Sequence, residues 1–297
     1  MGIRKSTKIW ASVSAAALLT SGALSACSQP APEAADTSSA QHDAPAAAAQ
    51  SEEAAPSAHP TELAGEGGEG GGEGGEAGGE MGIDPEEALR NPVVYRSAIE
   101  VMRAHYIAGL AAMEMGDRAN ASALFSHPIS EIYIDLEPVI EQLGGQVMMD
   151  ELNQAAVLHF QGASEDEIIA AVNTVTDLLD ANLAVAPNDG TSEAHVRAAV
   201  IGELIERASL QYAYAVEQEG LAEAWLDGYG LVYAADRANG EAHDMIVAED
   251  SELAAAIDHA LELLMRAYDS ASRPETLAVD PAQTRAAAQA VLNALKA

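Results

Sequence analysis

Ser164-Glu165-Asp166-Glu167-Ile168-Ile169-Ala170-Ala171-Val172-Asn173-Thr174-Val175-Thr176-Asp177-Leu178-Leu179-Asp180-Ala181-Asn182-Leu183 decides the fold of this chain. It opens as a capping box: the Ser164 hydroxyl suits the backbone N–H of Glu167, and the Glu167 carboxylate suits that of Ser164. Apolar residues then recur at Ile168, Val172, Val175, Leu179 and Leu183, which one stripe of an α-helix brings together. A helix with one apolar face must bury it against something. The flanking sequence offers only more helices of the same kind.

On the N-terminal side the spacing predicts a helix from about Val147 to Gln161, closed by Gly162. Before it, Pro128 to Leu143 carries the stripe Ile132, Leu136, Ile140 and Leu143, with Pro138 as a bend and Gly144-Gly145 as a stop. A short segment, Arg118 to Phe125, precedes that one. Asn91-Pro92 reads as a cap with proline in the first helical position, opening a helix to Gly116. Its face comprises Val94, Ala98, Val101, Met102, His105, Gly109 and Met113. On the C-terminal side, Ala186-Pro187-Asn188-Asp189-Gly190 marks a boundary. Helices are then expected from Ser192 to Glu219 with Gly220 as the stop, and from Leu221 to about Asn239. Two more follow, one capped by Ser251 and one opened by Asp280-Pro281. No stretch alternates apolar and polar residues between hairpin turns, so no sheet is expected. The expected fold is all-α: two packed four-helix units, residues 84–186 and 187–297, in the manner of up-down bundles.

Residues 27–83 have a different composition. Alanine and proline give way to a Gly/Glu tract, and between Ser28 and Glu80 there are eleven acids, no Lys or Arg, and Leu63 as the one large aliphatic residue. Such a segment has too little apolar surface to offset its ordering entropy, so a disordered tether is expected. Loose carboxylates on such a tether would collect cations only weakly, because nothing fixes their geometry.

Residues 1–26 carry Arg4, Lys5 and Lys8, then an uncharged run from Ile9 to Leu24, and end at Leu24-Ser25-Ala26-Cys27. The run is short for a bilayer, which wants about 20 apolar residues. The tetrapeptide resembles the lipobox of bacterial lipoproteins. That resemblance implies a signal peptide cut before Cys27 and a diacylglycerol on the Cys27 sulfur. It implies attachment to the cell envelope, at the periplasmic or outer-membrane surface. Cys27 is the only cysteine, which excludes an internal disulfide. Ser28, where an Asp would suggest retention at the inner membrane, favours the outer membrane of a Gram-negative cell.

The chain has 47 acids against 14 Lys and Arg, a net charge of −33. Nucleic acid and anionic lipid surfaces would be repelled, whereas cations, amines and basic partner surfaces would be attracted. After Cys27 the only lysine is Lys296, so lysine nucleophiles and phosphate-loop lysines are excluded. Gly-x-Ser-x-Gly, His-Glu-x-x-His and dinucleotide glycine motifs are absent. No catalytic residue is assigned.

The densest polar cluster on an apolar background is Phe125-Ser126-His127-Pro128-Ile129-Ser130-Glu131-Ile132-Tyr133-Ile134-Asp135-Leu136-Glu137-Pro138. With Pro128 opening a helix, Glu131 and Asp135 share a face, one turn below His127. An imidazole with two carboxylates can hold a divalent ion such as iron, zinc, copper or manganese, and His105 or His159 would add nitrogen from facing helices. The alternative is structural, with acids favoured in a first helical turn and His127 as a cap. A second candidate is a small-molecule pocket formed by Tyr212, Trp225, Tyr229 and Tyr233; its alternative is core packing.

An exported, lipid-anchored chain with two four-helix halves over residues 84–297 resembles the imelysin-like, iron-associated periplasmic proteins. Their Gly-x-His-x-x-Glu pattern has its nearest counterpart at Gly240-Glu241-Ala242-His243-Asp244-Met245-Ile246, where the histidine is displaced and Ile246 replaces the acid. No site residue is carried over. The expected function is a lipid-anchored module binding a metal or aiding its uptake. The alternative is a non-catalytic scaffold that docks a partner protein.

Overall fold

The computed structural model describes residues 83–217 and 222–297. The expectations placed on Cys27, the signal, the tether, Gly220 and Leu221 lie outside the described residues. Within them the chain is all-α, as its periodicity dictates, and no strand occurs. No described helix is long and apolar enough to cross a membrane.

A single turn, α1 (Pro85–Ala88), precedes α2 (Pro92–Glu114), whose N-terminal N–H groups at Val93 and Val94 donate to the Asn91 side chain. Then come α3 (Arg118–Pro128), a π-helical turn (Ile129–Tyr133) and α4 (Ile134–Leu143), ended by Gly144 at a left-handed φ of 79°. Next are α5 (Met149–Leu158) and α6 (Glu165–Leu183), which starts on the capping box read from the sequence. The C-terminal set comprises α7 (Glu193–Glu217), α8 (Ala222–Glu249), α9 (Ser251–Ala267) and α10 (Pro281–Ala294).

Three boundaries differ from expectation, the simplest at α9, where Asp250 rather than Ser251 is the cap and Ser251 is the first helical residue. Pro128 does not open a helix but ends α3, and the chain continues helically through it. Proline removes one intrahelical hydrogen bond and crowds the preceding turn, and the wide π turn that follows absorbs this. Gly240 does not end α8, which runs on to Glu249, since one glycine costs a helix only about 1 kcal/mol.

The central helix is α2. It packs on α3 and α6 of its own set and on α7 and α8 of the other, and side chains of both sets belong to one continuous core. Close approach depends on two glycines. A Cβ at Gly230 would lie 2.2 Å from the Ala104 carbonyl oxygen, so α8 meets the α2 backbone there. A Cβ at Gly109 would lie 2.4 Å from the Phe125 ring, so α3 rests directly on α2. A buried Asn182 ties α6 to the 144–148 loop, accepting from Gln146 N at 2.8 Å and donating to its carbonyl at 2.9 Å.

Candidate metal centre

Gly109 positions the site. It lies one turn beyond His105 on α2, and the Phe125 ring it admits lies two residues before His127 on α3. The two imidazoles therefore face each other, with ring centres 5.8 Å apart in an edge-on arrangement. The π turn after Pro128 supplies Glu131 between them. Its Oε2 is 3.6 Å from His105 Nε2 and its Oε1 is 3.5 Å from His127 Nδ1. One ligand atom from each of His105, His127 and Glu131 lies within 4.8 Å of the other two. His105 is buried; His127 and Glu131 are partly so.

The far side of each ring fixes its chemistry. His105 Nδ1 lies 2.9 Å from the Val101 carbonyl, which can only accept, so Nδ1 carries a proton. In the neutral ring Nε2 is then the lone-pair nitrogen, and it points at Glu131. His127 Nε2 lies 3.3 Å from Oε1 of Glu223, in the first turn of α8, an ion-pair distance that favours a proton on Nε2 without a directed hydrogen bond. Its Nδ1 again points at Glu131. Metal-bound histidines have this arrangement, with the outer N–H held by a carbonyl or carboxylate and the inner nitrogen turned to the ion. Bonds of about 2.0–2.2 Å around a tetrahedral ion put neighbouring ligand atoms roughly 3.3–3.6 Å apart; each imidazole lies that far from one of the two Glu131 oxygens, and the three groups draw in from a spread of up to 4.8 Å to share one ion. An imidazolium paired with the carboxylate is the other chemistry the distances admit.

Of the residues expected from sequence, His105, His127 and Glu131 are brought together. Asp135 is not: it is exposed on α4, whose inward face is taken by Leu136, Val139 and Ile140. His159 caps α5 beside Phe160, with ring centres 5.9 Å apart, and does not join the group. Glu223 was not foreseen. It stands 96 positions beyond His127 in a stretch with no pattern of its own, and only the packing of α8 reveals it.

The aromatic group is core rather than a pocket wall at two of its four members. Tyr212 and Trp225 are 0% and 1% exposed and pack with Tyr268 at ring separations of 4.8–5.6 Å. Their polar atoms are satisfied by backbone: Tyr212 donates to the Val279 carbonyl at 2.8 Å and Trp225 to that of Ser270 at 3.0 Å. Tyr229 and Tyr233 are partly buried and stack on each other at 4.4 Å.

No protein-family model, curated protein or solved structure matches this chain. The functional argument therefore rests on the site itself.

Proposed function

We propose that this protein is a lipid-anchored module of the bacterial cell envelope that binds a divalent metal ion through His105 Nε2, His127 Nδ1 and Glu131. One observation carries the reading: two imidazoles, one hydrogen-bonded from behind to a carbonyl and the other with a carboxylate 3.3 Å behind it, turn their other nitrogens onto the same carboxylate. Two nitrogens and one oxygen suit zinc and iron(II), and also manganese, better than magnesium or calcium, which prefer all-oxygen shells. Three protein ligands leave room for an exchangeable fourth, as a binding or uptake role requires. Glu223 is a positioning residue, acting on the ion through His127.

The test is a series of thermal melts on the full chain after chelator dialysis, with iron(II), zinc, copper(II) or manganese added back. An ion at a hundred times its dissociation constant stabilises the fold by about 2.7 kcal/mol. His127→Ala and Glu131→Ala abolish the shift and Asp135→Ala retains it. Glu223→Gln keeps the fold and weakens the metal by about 10–100-fold. If no metal shifts the melt, or the shift survives both ligand substitutions, the site is an ion pair and the scaffold reading replaces this one. Anchorage is tested separately: Cys27→Ser leaves the unprocessed precursor, and normal processing and membrane attachment of that variant would refute it.

A further inference from the structure

α5 packs against α3, and the two helices leave an open groove of about 550 Å³ between them. One side is α3, where Ala119, Ser122, Ala123 and Ser126 recur at helical spacing and none is larger than serine. The Ser126 hydroxyl donates to the Ser122 carbonyl at 2.9 Å, so its proton is already engaged and the wall is largely hydrocarbon. The other side is the end of α5, with His159 and Phe160. Phe160 is 74% exposed, more than any other large apolar side chain among the described residues, and Val157 one turn before it is 41% exposed. An unburied ring and a groove with room for one therefore stand side by side on the same face.

The charge of this face differs from that of the molecule. The chain has 47 acids and a net charge of −33, yet no acid occurs from Arg118 to Ser130 or from Leu152 to Ser164, the two runs that form the groove. None of the groove's lining residues is acidic, whereas the clefts between α5 and α6 and beside the C-terminus each hold at least two carboxylates. Arg118 stands exposed at the groove and forms no ion pair among the described residues. A large net charge drives copies of a protein apart, so two copies can touch only where the facing surfaces lack acids. A face without acids and with an unpaired arginine also complements an acidic surface, and this chain is one.

We propose that the α3–α5 face pairs two copies of this chain about a two-fold axis, each copy seating Phe160 in the α3 groove of the other. An isologous contact needs a knob and a hole on one face, and reciprocal seating closes the assembly at two. The two rings bury about 150–250 Å² each, far below a standard interface, so the dimer is weak and of micromolar affinity. The groove shares no residue with the His105–His127–Glu131 group, so pairing does not depend on metal.

Sedimentation equilibrium of the full chain from about 1 to 300 µM tests this. A monomer–dimer equilibrium with no larger species is expected. Phe160→Ala weakens it by about tenfold or more, and so does Ala123→Leu, which fills the groove. Both variants melt as the dilute wild-type chain does, because the ring is exposed and Ala123 opens onto the groove. Mixing the two variants tests the reciprocal seating. Phe160→Ala keeps an intact groove and Ala123→Leu keeps an intact ring, so together they form a heterodimer tighter than either variant forms with itself. A dimer unchanged in both variants, a mixture no tighter than its components, or assemblies that grow past two would each overturn the proposal. A chain that stays monomeric throughout would overturn it too and leave the groove to a partner other than a second copy.

Discussion

Glu203 and His105 are both withdrawn from water, and the fold treats them in opposite ways. His105 has the Val101 carbonyl on one nitrogen and the Glu131 carboxylate before the other, so either a proton or a metal ion completes it. Glu203 has a serine hydroxyl and the nearby Arg207 against the cost of burial, and burial is the largest effect, raising its pKa from the ordinary 4.5. A carboxyl whose folded pKa is raised favours the neutral form. Its contribution is fully present below the unfolded pKa and is lost as pH rises through the folded one. The wild-type chain should therefore lose stability on going from pH 4.5 to neutrality through this group, while a glutamine loses none. Glu203→Gln is expected to melt higher than wild type at pH 7, with the gain vanishing near pH 4. Melting both chains from pH 4 to 8 checks this, and a variant no more stable at pH 7 would show that Glu203 is well solvated.

At the scale of elements, what was legible in the sequence was what is local. Ser164 with Glu167, Asn91 before Pro92, and Asp280 before Pro281 each announce a helix start within four residues, and each is found. The apolar stripe of α6 is the one that is buried. Local signals failed at Pro128, because proline suits a first turn as well as a helix end beside a π turn. Packing decided between them: Phe125 docks on Gly109 and holds α3 in register with α2 through His127. The same docking selects His105 over His159 as the partner of His127, a choice the sequence left open, while Asp135, equally well spaced on paper, is exposed to solvent. Ser251 was expected to cap α9, but Asp250 does so, accepting from Glu252 N and Leu253 N at 3.0 and 2.9 Å. Glu223 was invisible for a different reason. A second-layer carboxylate needs only to reach an imidazole N–H, and no local spacing encodes that.

For the molecule as a whole, the sequence divides at Ala186–Gly190, and the question is whether the two helix sets are separate bodies. Three features bind them, two of them along α2. The Gly230 backbone lies against the Ala104 carbonyl, leaving no room for a side chain. A chain of ion pairs crosses from set to set: Arg103 Nε to Glu100 at 3.0 Å, Glu100 to Arg237 Nη2 at 2.8 Å, Arg237 to Glu241, Glu241 to Arg197 at 3.6 Å, Arg197 to Glu193 at 2.7 Å, and Glu193 back to Arg96 at 3.3 Å. Its exposed members contribute little individually, but Glu100 and Arg103 are buried, and removing one partner of a buried pair costs about 3–5 kcal/mol. The third feature is His127 of the first set, which meets Glu223 of the second at the proposed metal centre. The 188–192 loop is exposed and is the natural place for a protease to cut. Because the core and the charge chain both run across α2, a chain nicked there is expected to stay together. It should elute as one species under native conditions, melt in one transition, and separate into fragments only in denaturant. Bound metal should raise that single transition as a unit, since its ligands and their support span both fragments. Separate elution of the two pieces, or two melting steps of which metal moves only one, would show that the halves are independent domains.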